Sequence, residues 1–138
     1  AISSLAKRHP KQIAVKIGYD KGLAHRIEAG SDFYVMPSRF EPCGLNQLYS
    51  LRYGSVPIVH ATGGLDDSVI DLGQGQDTAT GIKFGDCSAE ALGQALGRAL
   101  ALYAKPKNLA KVRDNGMRAD FSWRQTTAEY GRLYAKII

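Results

Sequence analysis

Four short apolar runs, separated by segments with helical spacing, limit what this chain can fold into more than any other feature of its sequence. They occupy residues 12–18, 33–36, 56–60 and 81–84. Short apolar runs rich in β-branched residues are typical of strands buried on both faces. Because the runs alternate with helical segments, the sequence predicts an α/β domain with a doubly wound, Rossmann-like parallel sheet. Such folds usually have about five or six strands, so we expect the first strands to precede residue 1.

The segments between the runs supply the helices of the predicted domain. Apolar residues with helical spacing cover 1–9, 23–29, 45–53, 89–103, 109–117 and 123–138. Trp123 opens the last of these, and we expect it to anchor that helix by packing. With 138 residues, 44% of them hydrophobic, the chain has the size of one domain, 1–138, which ends in the helices of 107–138. Because it starts without Met inside a helical pattern, we interpret it as part of a longer protein.

Charge and cysteine content narrow the class of partner. Lys and Arg number 18 against 13 for Asp and Glu, and the net charge of +5 is spread along the chain rather than clustered. A nucleic-acid-binding face usually concentrates its basic residues, so we expect no nucleic acid partner. No apolar segment reaches the roughly 20 residues that span a bilayer, so we expect no membrane partner. Cys43 and Cys87 lack the spacing of metal ligands, which predicts a reducing cytoplasmic compartment and no metal.

Three loops follow predicted strands and should open on one crevice, because ligands of open α/β sheets bind at the carboxyl ends of the strands. They are 18–22, 37–44 and 61–64. In the second, Gly44 stands just before a helix whose first amides and dipole favour an anion such as a diphosphate. Glu41 would repel a phosphate, but its carboxylate can accept hydrogen bonds from sugar hydroxyls. An ordinary loop carboxylate that pairs with Arg39 or caps a helix fits the spacing equally well.

Two other classes of protein share this pattern of elements. A dinucleotide-dependent dehydrogenase is also a parallel α/β domain, but no Gly-x-Gly-x-x-Gly follows any predicted strand. A domain that only binds a nucleotide remains open. The three histidines, His9, His25 and His60, have no ligand spacing and are interpreted as polar surface or packing residues.

A series of motifs, in order, resembles the bacterial glycogen synthase and plant starch synthase family. The strongest is 38–45 (SRFEPCGL), which continues into 46–49 (NQLY) and is followed by 62–65 (TGGL). The resemblance also includes 17–19 (IGY), 25–27 (HRI) and 120–123 (DFSW), and so covers nearly the whole chain.

The resemblance implies the C-terminal, nucleotide-sugar-binding lobe of a retaining glycosyltransferase of the B-type fold. Such an enzyme moves glucose from ADP-glucose to the non-reducing end of an α-1,4-glucan and needs no cofactor. The acceptor would bind through an N-terminal lobe that lies upstream of residue 1, so this chain is expected to bind the donor and to be inactive alone. The implied compartment is the bacterial cytoplasm, or the plastid for a starch synthase. A B-type transferase that uses a UDP-sugar is the alternative.

The resemblance also implies a role for each matching residue of the site. Glu41 would be the catalytic residue that contacts the glucose, and Tyr19 would stack on the adenine. The other implied substrate-binding residues are Cys43 and Gly44 on the sugar hydroxyls, Leu45 and Asn46 near the phosphates, and Thr62, Gly63 and Gly64 at the sugar-phosphate crevice. Without the resemblance, Tyr19 could instead be a half-packed edge residue, and the glycine turn could be merely structural.

One position departs from the wider B-type superfamily. Many members carry a second Glu eight residues after the first, and Tyr49 occupies that position here. In those members the second Glu is assigned a contact with the ribose. Tyr49 has no carboxylate to make that contact here. The same departure is common in the glycogen and starch synthase branch, which favours that branch.

Overall fold

The structure, a computed structural model, describes residues 2–137. Its helices are α1 (Ile2–Arg8), α2 (Lys21–Gly30), α3 (Asn46–Tyr53), α4 (Gly63–Ser68), α5 (Ala89–Tyr103), α6 (Pro106–Arg118) and α7 (Trp123–Tyr134). Its strands are β1 (Phe33–Met36), β2 (Val56–His60) and β3 (Ile82–Phe84), and a 3-10 turn covers Leu72–Gln74. Ala1 and Ile138, which the sequence assigned to the first and last helices, lie outside the described residues.

The three strands form one parallel sheet in the order β1-β2-β3. Phe33 pairs with Val56 at the start of β1, and His60 pairs with Phe84 at the end of β2. Because all strands run in the same direction, the loops that follow them leave the sheet at one edge. That edge is the one at which ligands bind in open α/β sheets.

Helices cover both faces of the sheet, as the predicted α/β class requires. On one face, Val56 packs with the α6 residues Leu109 and Val112, while Ile58 packs with residues of β3 and α5. On the other face, Val59 packs with Leu65 of α4. All five residues of β2 are buried, which explains why its sequence is apolar without alternation. The predicted fold class is therefore confirmed.

The prediction of a first strand at residues 12–18 is wrong. The segment has no strand partner among residues 2–137, and its apolar side chains face outward, with Ile17 82% exposed. A β-branched run forms a strand only where a neighbouring backbone pairs with it, and propensity alone does not supply that neighbour. The sheet in this part of the chain therefore has three strands rather than four.

Two expectations about the C-terminal helices also need correction. α6 begins at Pro106, three residues before the expected start at Leu109, because proline suits the first turn of a helix, where its missing N–H is not needed. Trp123 is 81% exposed at the start of α7 and anchors nothing in the described part of the chain. No helix within residues 2–137 is both long and apolar enough to cross a membrane.

Candidate functional site

A buried histidine connects the loops at the carboxyl edge of the sheet. His60 ends β2, and its ring nitrogens lie 2.7 Å from the carbonyl oxygen of Ser38 and 3.0 Å from that of Gly85. These carbonyls belong to the loops that follow β1 and β3. From sequence alone, His60 cannot be distinguished from an ordinary packing residue, since its partners are backbone atoms distant in sequence. It holds the loop containing Glu41 at the end of the central strand.

The glycine turn packs directly against the loop that carries Glu41. The Gly64 amide donates to the carbonyl oxygens of Glu41, at 3.2 Å, and Pro42, at 3.3 Å. A Cβ atom on Gly63 would lie 2.2 Å from the Glu41 oxygen, and one on Gly64 would lie 2.1 Å from the Cys43 oxygen. Only glycine allows this approach between two backbones. The structure thus brings together the two loops that the sequence had assigned to one crevice.

Gln47 fixes the short bend between Glu41 and α3. Its side chain is buried, and its amide nitrogen lies 3.0 Å from the carbonyl oxygens of both Cys43 and Gly44 and 3.2 Å from the Ser68 hydroxyl. Sequence reasoning assigned it no role, although a polar residue on the buried side of a helix is the signal that could have identified it. Gly44 itself has φ 72°, a left-handed conformation that glycine adopts without strain.

The backbone amides at the start of α3 have no acceptor within the described structure. Those of Cys43, Gly44, Leu45 and Asn46 form no hydrogen bond with any atom of residues 2–137, and Leu45 provides no side-chain cap. The first amides of a helix normally need a cap, water or a ligand. Asn46 opens α3 and Leu45 is its N-cap, while Cys43 and Gly44 lie in the bend just before it. The unpaired donors are thus grouped at the positive end of a helix dipole, which suits an anion.

Glu41 precedes these amides in the same loop, and its carboxylate has no partner among residues 2–137. Its residue is partly buried, and its side chain forms neither an ion pair nor a hydrogen bond among residues 2–137. The pairing with Arg39 that the sequence left open is therefore absent from this structure. The carboxylate is free to accept hydrogen bonds from a ligand.

A cavity of about 560 Å³ adjoins the start of α3 on the side of α2. It brings Tyr19 together with Leu45 and Asn46, three of the predicted site residues. Tyr19 is 93% exposed, so one face of its ring is available for stacking. Glu41, Cys43, Gly44 and the Thr62–Gly64 turn do not line the cavity. Thr62 precedes α4 without a side-chain cap. The site thus has two parts that meet at the unpaired amides.

Charged groups of both signs line the cavity. Lys16 and Lys21 contribute ammonium groups, and the buried Glu28 lies on its α2 wall beside His25. Burial raises the pKa of Glu28 above the usual value, and the charge of a protonated His25 opposes that rise. Neither Glu28 nor His25 was assigned to the site from sequence. Within the described residues, no cluster of three or more His, Cys, Asp or Glu side chains is placed to hold a metal ion.

Proteins named as glycogen synthases match nearly the whole chain. The glycogen synthase of Thioalkalivibrio sulfidiphilus is 50% identical over 138 residues, which is 98% of this chain and 29% of the relative. No family model matches the chain. The chain therefore spans less than a third of the length of the curated relatives it matches.

Solved structures agree with these relatives. The catalytic domain of starch synthase IV from Arabidopsis thaliana, bound to ADP and acarbose, is 35% identical with a TM-score of 0.81, over 97% of this chain and 28% of that one. Sucrose-phosphate synthase from Thermosynechococcus elongatus is 25% identical with a TM-score of 0.68, over 99% of this chain and 33% of that one. Over nearly its whole length the chain is thus similar to glycogen and starch synthases, and it corresponds to a little over a quarter of the length of these relatives.

Proposed function

We propose that this chain forms the donor-binding part of a retaining glucosyltransferase of the B-type fold. The complete enzyme would transfer glucose from ADP-glucose to the non-reducing end of an α-1,4-glucan. The glycogen synthases that it resembles support the reaction, and the related starch synthase bound to ADP and acarbose supports a nucleotide and a glucan as ligands. We place the enzyme in the bacterial cytoplasm, or in the plastid if its product is starch.

One observation carries this proposal: the backbone of the loop that carries the unpaired Glu41 side chain packs against Gly63 and Gly64, and the same loop leads through unpaired amides into the start of α3. The amides suit a diphosphate, which is the leaving group of a sugar nucleotide. The Glu41 carboxylate suits the uncharged sugar, whose hydroxyls donate hydrogen bonds. A nucleoside diphosphate sugar has both groups joined by one bond, so it satisfies both parts of the site at once.

In this assignment, each part of the α3 start contacts a different part of the donor. The amides of Cys43 and Gly44 bind sugar hydroxyls, and those of Leu45 and Asn46 bind the phosphates. Thr62, Gly63 and Gly64 form the opposite wall of the sugar-phosphate crevice. Charge that develops on the leaving diphosphate is stabilised by donors that are already in position, which lowers the barrier without reorganisation of solvent.

Glu41 acts on the sugar rather than on the leaving group. As the glycosidic bond to the diphosphate breaks, positive charge develops on the anomeric carbon and ring oxygen. A carboxylate near that charge stabilises it, and its hydrogen bonds to the sugar hydroxyls fix the orientation of the ring. The acceptor glucan enters from the part of the enzyme that this chain does not include.

Tyr19 provides the base-binding end of the cavity. Its exposed ring offers a stacking face to the adenine, an interaction of about 1 to 3 kcal/mol for a base on an aromatic side chain. Stacking alone does not distinguish one base from another, because every base has a π face.

Replacement of Glu41 tests the assignment in the complete polypeptide that contains this chain. We expect Glu41→Ala to lower glucose incorporation into glycogen by about 10²-fold or more, as the loss of a transition-state contact does. Glu90→Ala, which removes an exposed carboxylate at the start of α5, is the matched control and should leave the rate unchanged. An unaltered rate in the Glu41 variant would remove this residue from the mechanism.

A B-type transferase that uses a UDP-sugar is the second candidate. The similarity to a sucrose-phosphate synthase over 99% of the chain favours it as an alternative. Turnover of ADP-glucose and UDP-glucose by the complete polypeptide, measured side by side, separates the two. If the complete polypeptide binds nucleotide but turns over neither donor, a domain that binds nucleotides without catalysing transfer is favoured instead.

A further inference from the structure

Two buried polar atoms on the α2 wall of the cavity lack hydrogen-bond partners. They are Nδ1 of His25 and Oε2 of Glu28, which lie 3.8 Å apart, too far for a hydrogen bond. Glu28 is only 4% exposed, whereas a third of the His25 side chain remains accessible. Both residues line the cavity that also contains Tyr19.

The surroundings of the pair leave each atom no other partner. The Tyr49 and Tyr53 rings are T-shaped to the His25 ring at centroid distances of 5.5 and 5.9 Å, and neither tyrosine forms a hydrogen bond with Nδ1. No Lys or Arg lies within ion-pair distance of Glu28 in the described part of the chain. At 3.8 Å, Nδ1 and Oε2 lie just beyond hydrogen-bond distance of each other. The carboxylate is therefore the acceptor available to the Nδ1 proton.

This pairing decides what the accessible edge of the imidazole can bind. In neutral histidine, one ring nitrogen carries the proton and the other carries a lone pair. If Nδ1–H donates to Glu28, Nε2 is the acceptor. The accessible part of His25 then presents a hydrogen-bond acceptor to the cavity.

We propose that His25, held in this tautomer by Glu28, recognises the base stacked on Tyr19 by accepting a hydrogen bond from its exocyclic amino group. The inference rests on the proposed function and adds to it the residue that recognises the base. An amino-bearing base such as adenine is selected over one with a keto oxygen at the same position, because the oxygen would face the lone pair of Nε2. Glu28 is a positioning residue, and His25 is the residue that contacts the ligand.

Few other cavity groups can perform this recognition. Lys16 and Lys21 are donors only. Oδ1 of Asp20 already accepts from the Leu23 amide at 2.9 Å. The Asn46 amide nitrogen donates to the Tyr34 hydroxyl at 3.2 Å.

The test compares ADP with inosine diphosphate, in which a keto oxygen replaces the 6-amino group. Binding to the chain is followed by NMR of its backbone amides during titration with each nucleotide. We expect wild type to bind ADP about tenfold more tightly than inosine diphosphate, the ratio for one net hydrogen bond. His25→Phe keeps an aromatic ring against the two tyrosines, and we expect it to bind both nucleotides equally.

The Glu28→Met variant tests whether Glu28 positions His25 or only stabilises the fold. Methionine fills the buried site without a charge, so we expect the variant to stay folded and yet to lose the preference for ADP. A purely structural role would lower the unfolding temperature and leave the preference intact. His9→Phe, at an exposed histidine outside the cavity, is the control and should keep the wild-type ratio.

The outcomes distinguish this inference from the proposed function. Equal binding of the two nucleotides by wild type, or an unchanged ratio in His25→Phe, overturns the role of His25 while the nucleotide site stands. Absence of binding by either nucleotide to the folded chain overturns the nucleotide assignment itself and this inference with it.

Discussion

At Gly64, the absence of a side chain allows the two loops of the candidate site to approach each other. The atoms that a Cβ would meet there belong to the backbone of Cys43, at 2.1 to 2.7 Å, so no flexible group can move aside. We expect Gly64→Ala to destabilise the fold by about 1 to 3 kcal/mol, as overpacking does, and to weaken ADP binding because the Glu41 loop is displaced. Thermal unfolding and nucleotide titration measure the two effects.

Gly97→Ala is the matched control for that substitution. Gly97 lies inside α5, and a Cβ there meets nothing within 4 Å. Alanine should therefore stabilise the helix by about 0.5 to 1 kcal/mol and leave nucleotide binding unchanged. A Gly64 variant as stable and as tight-binding as this control would show that the close approach of the two loops does not matter.

The Glu28 carboxylate gives a pH-dependent prediction at the same scale. Because burial raises its pKa in the folded state above the ordinary 4.5, the folded protein holds this proton more tightly than the unfolded chain. Stability is therefore lost as the pH rises through the raised pKa. We expect Glu28→Gln to unfold a few degrees above wild type near neutral pH, with the gap closing below about pH 4.5. Melting curves from acid to neutral pH test this, and a variant less stable at neutral pH contradicts it.

At the scale of elements, Asp71 connects the 3-10 turn, β3 and α5. Its carboxylate accepts from the backbone amides of Gly73, at 2.8 Å, and Lys83, at 2.6 Å, and pairs with Arg98 at 2.6 Å. Burial by itself would raise the pKa of Asp71, but these hydrogen bonds and the Arg98 charge outweigh it and the pKa is lowered. β3 is an outer strand of the sheet. The Asp71 carboxylate thus accepts from the Lys83 amide of β3 the hydrogen bond that a neighbouring strand would otherwise accept.

Asp71→Asn should remove most of this connection. We expect a loss of about 1 to 3 kcal/mol near neutral pH, because charge-assisted bonds to a mostly buried group are lost. Since the folded pKa is lowered, the wild-type contribution is complete above about pH 4 and disappears as the pH falls through the folded value, so the two proteins should converge in acid. Asp114→Asn, at an exposed pair with Arg118, should cost about 0.5 kcal/mol or less.

Sequence reasoning identified the elements whose pattern is local. The bounds of β1 and β2 agree with the apolar runs, because buried parallel strands need no partner information to be recognised. It failed at residues 12–18, where an apolar run lacks a neighbouring strand, and at Trp123, whose type suggested burial. The roles of His60 and Gln47 could not be predicted either, because their partners are backbone carbonyls that only the folded loops bring within reach.

At the scale of the whole molecule, the described chain leaves two kinds of surface open. The cavity and the Glu41 loop face solvent at the carboxyl edge of the sheet. Trp123, Leu133 and Tyr134 of α7 are more than half exposed, although their types favour burial. Nucleotide binding needs the first surface alone, whereas transfer of glucose also needs water to be excluded and an acceptor to be held.

We therefore expect this chain alone to bind ADP weakly and to transfer no glucose. It corresponds to 29% of a related glycogen synthase, and an open site leaves the donor hydrated and the acceptor unplaced. Incorporation of labelled glucose from ADP-glucose into glycogen measures transfer, with the complete Thioalkalivibrio sulfidiphilus enzyme as the positive control, and amide NMR measures binding. Glucan elongation by the isolated chain would show that these 138 residues contain a whole catalytic centre. Binding without elongation would instead separate donor recognition, which the α3 start and cavity provide, from catalysis.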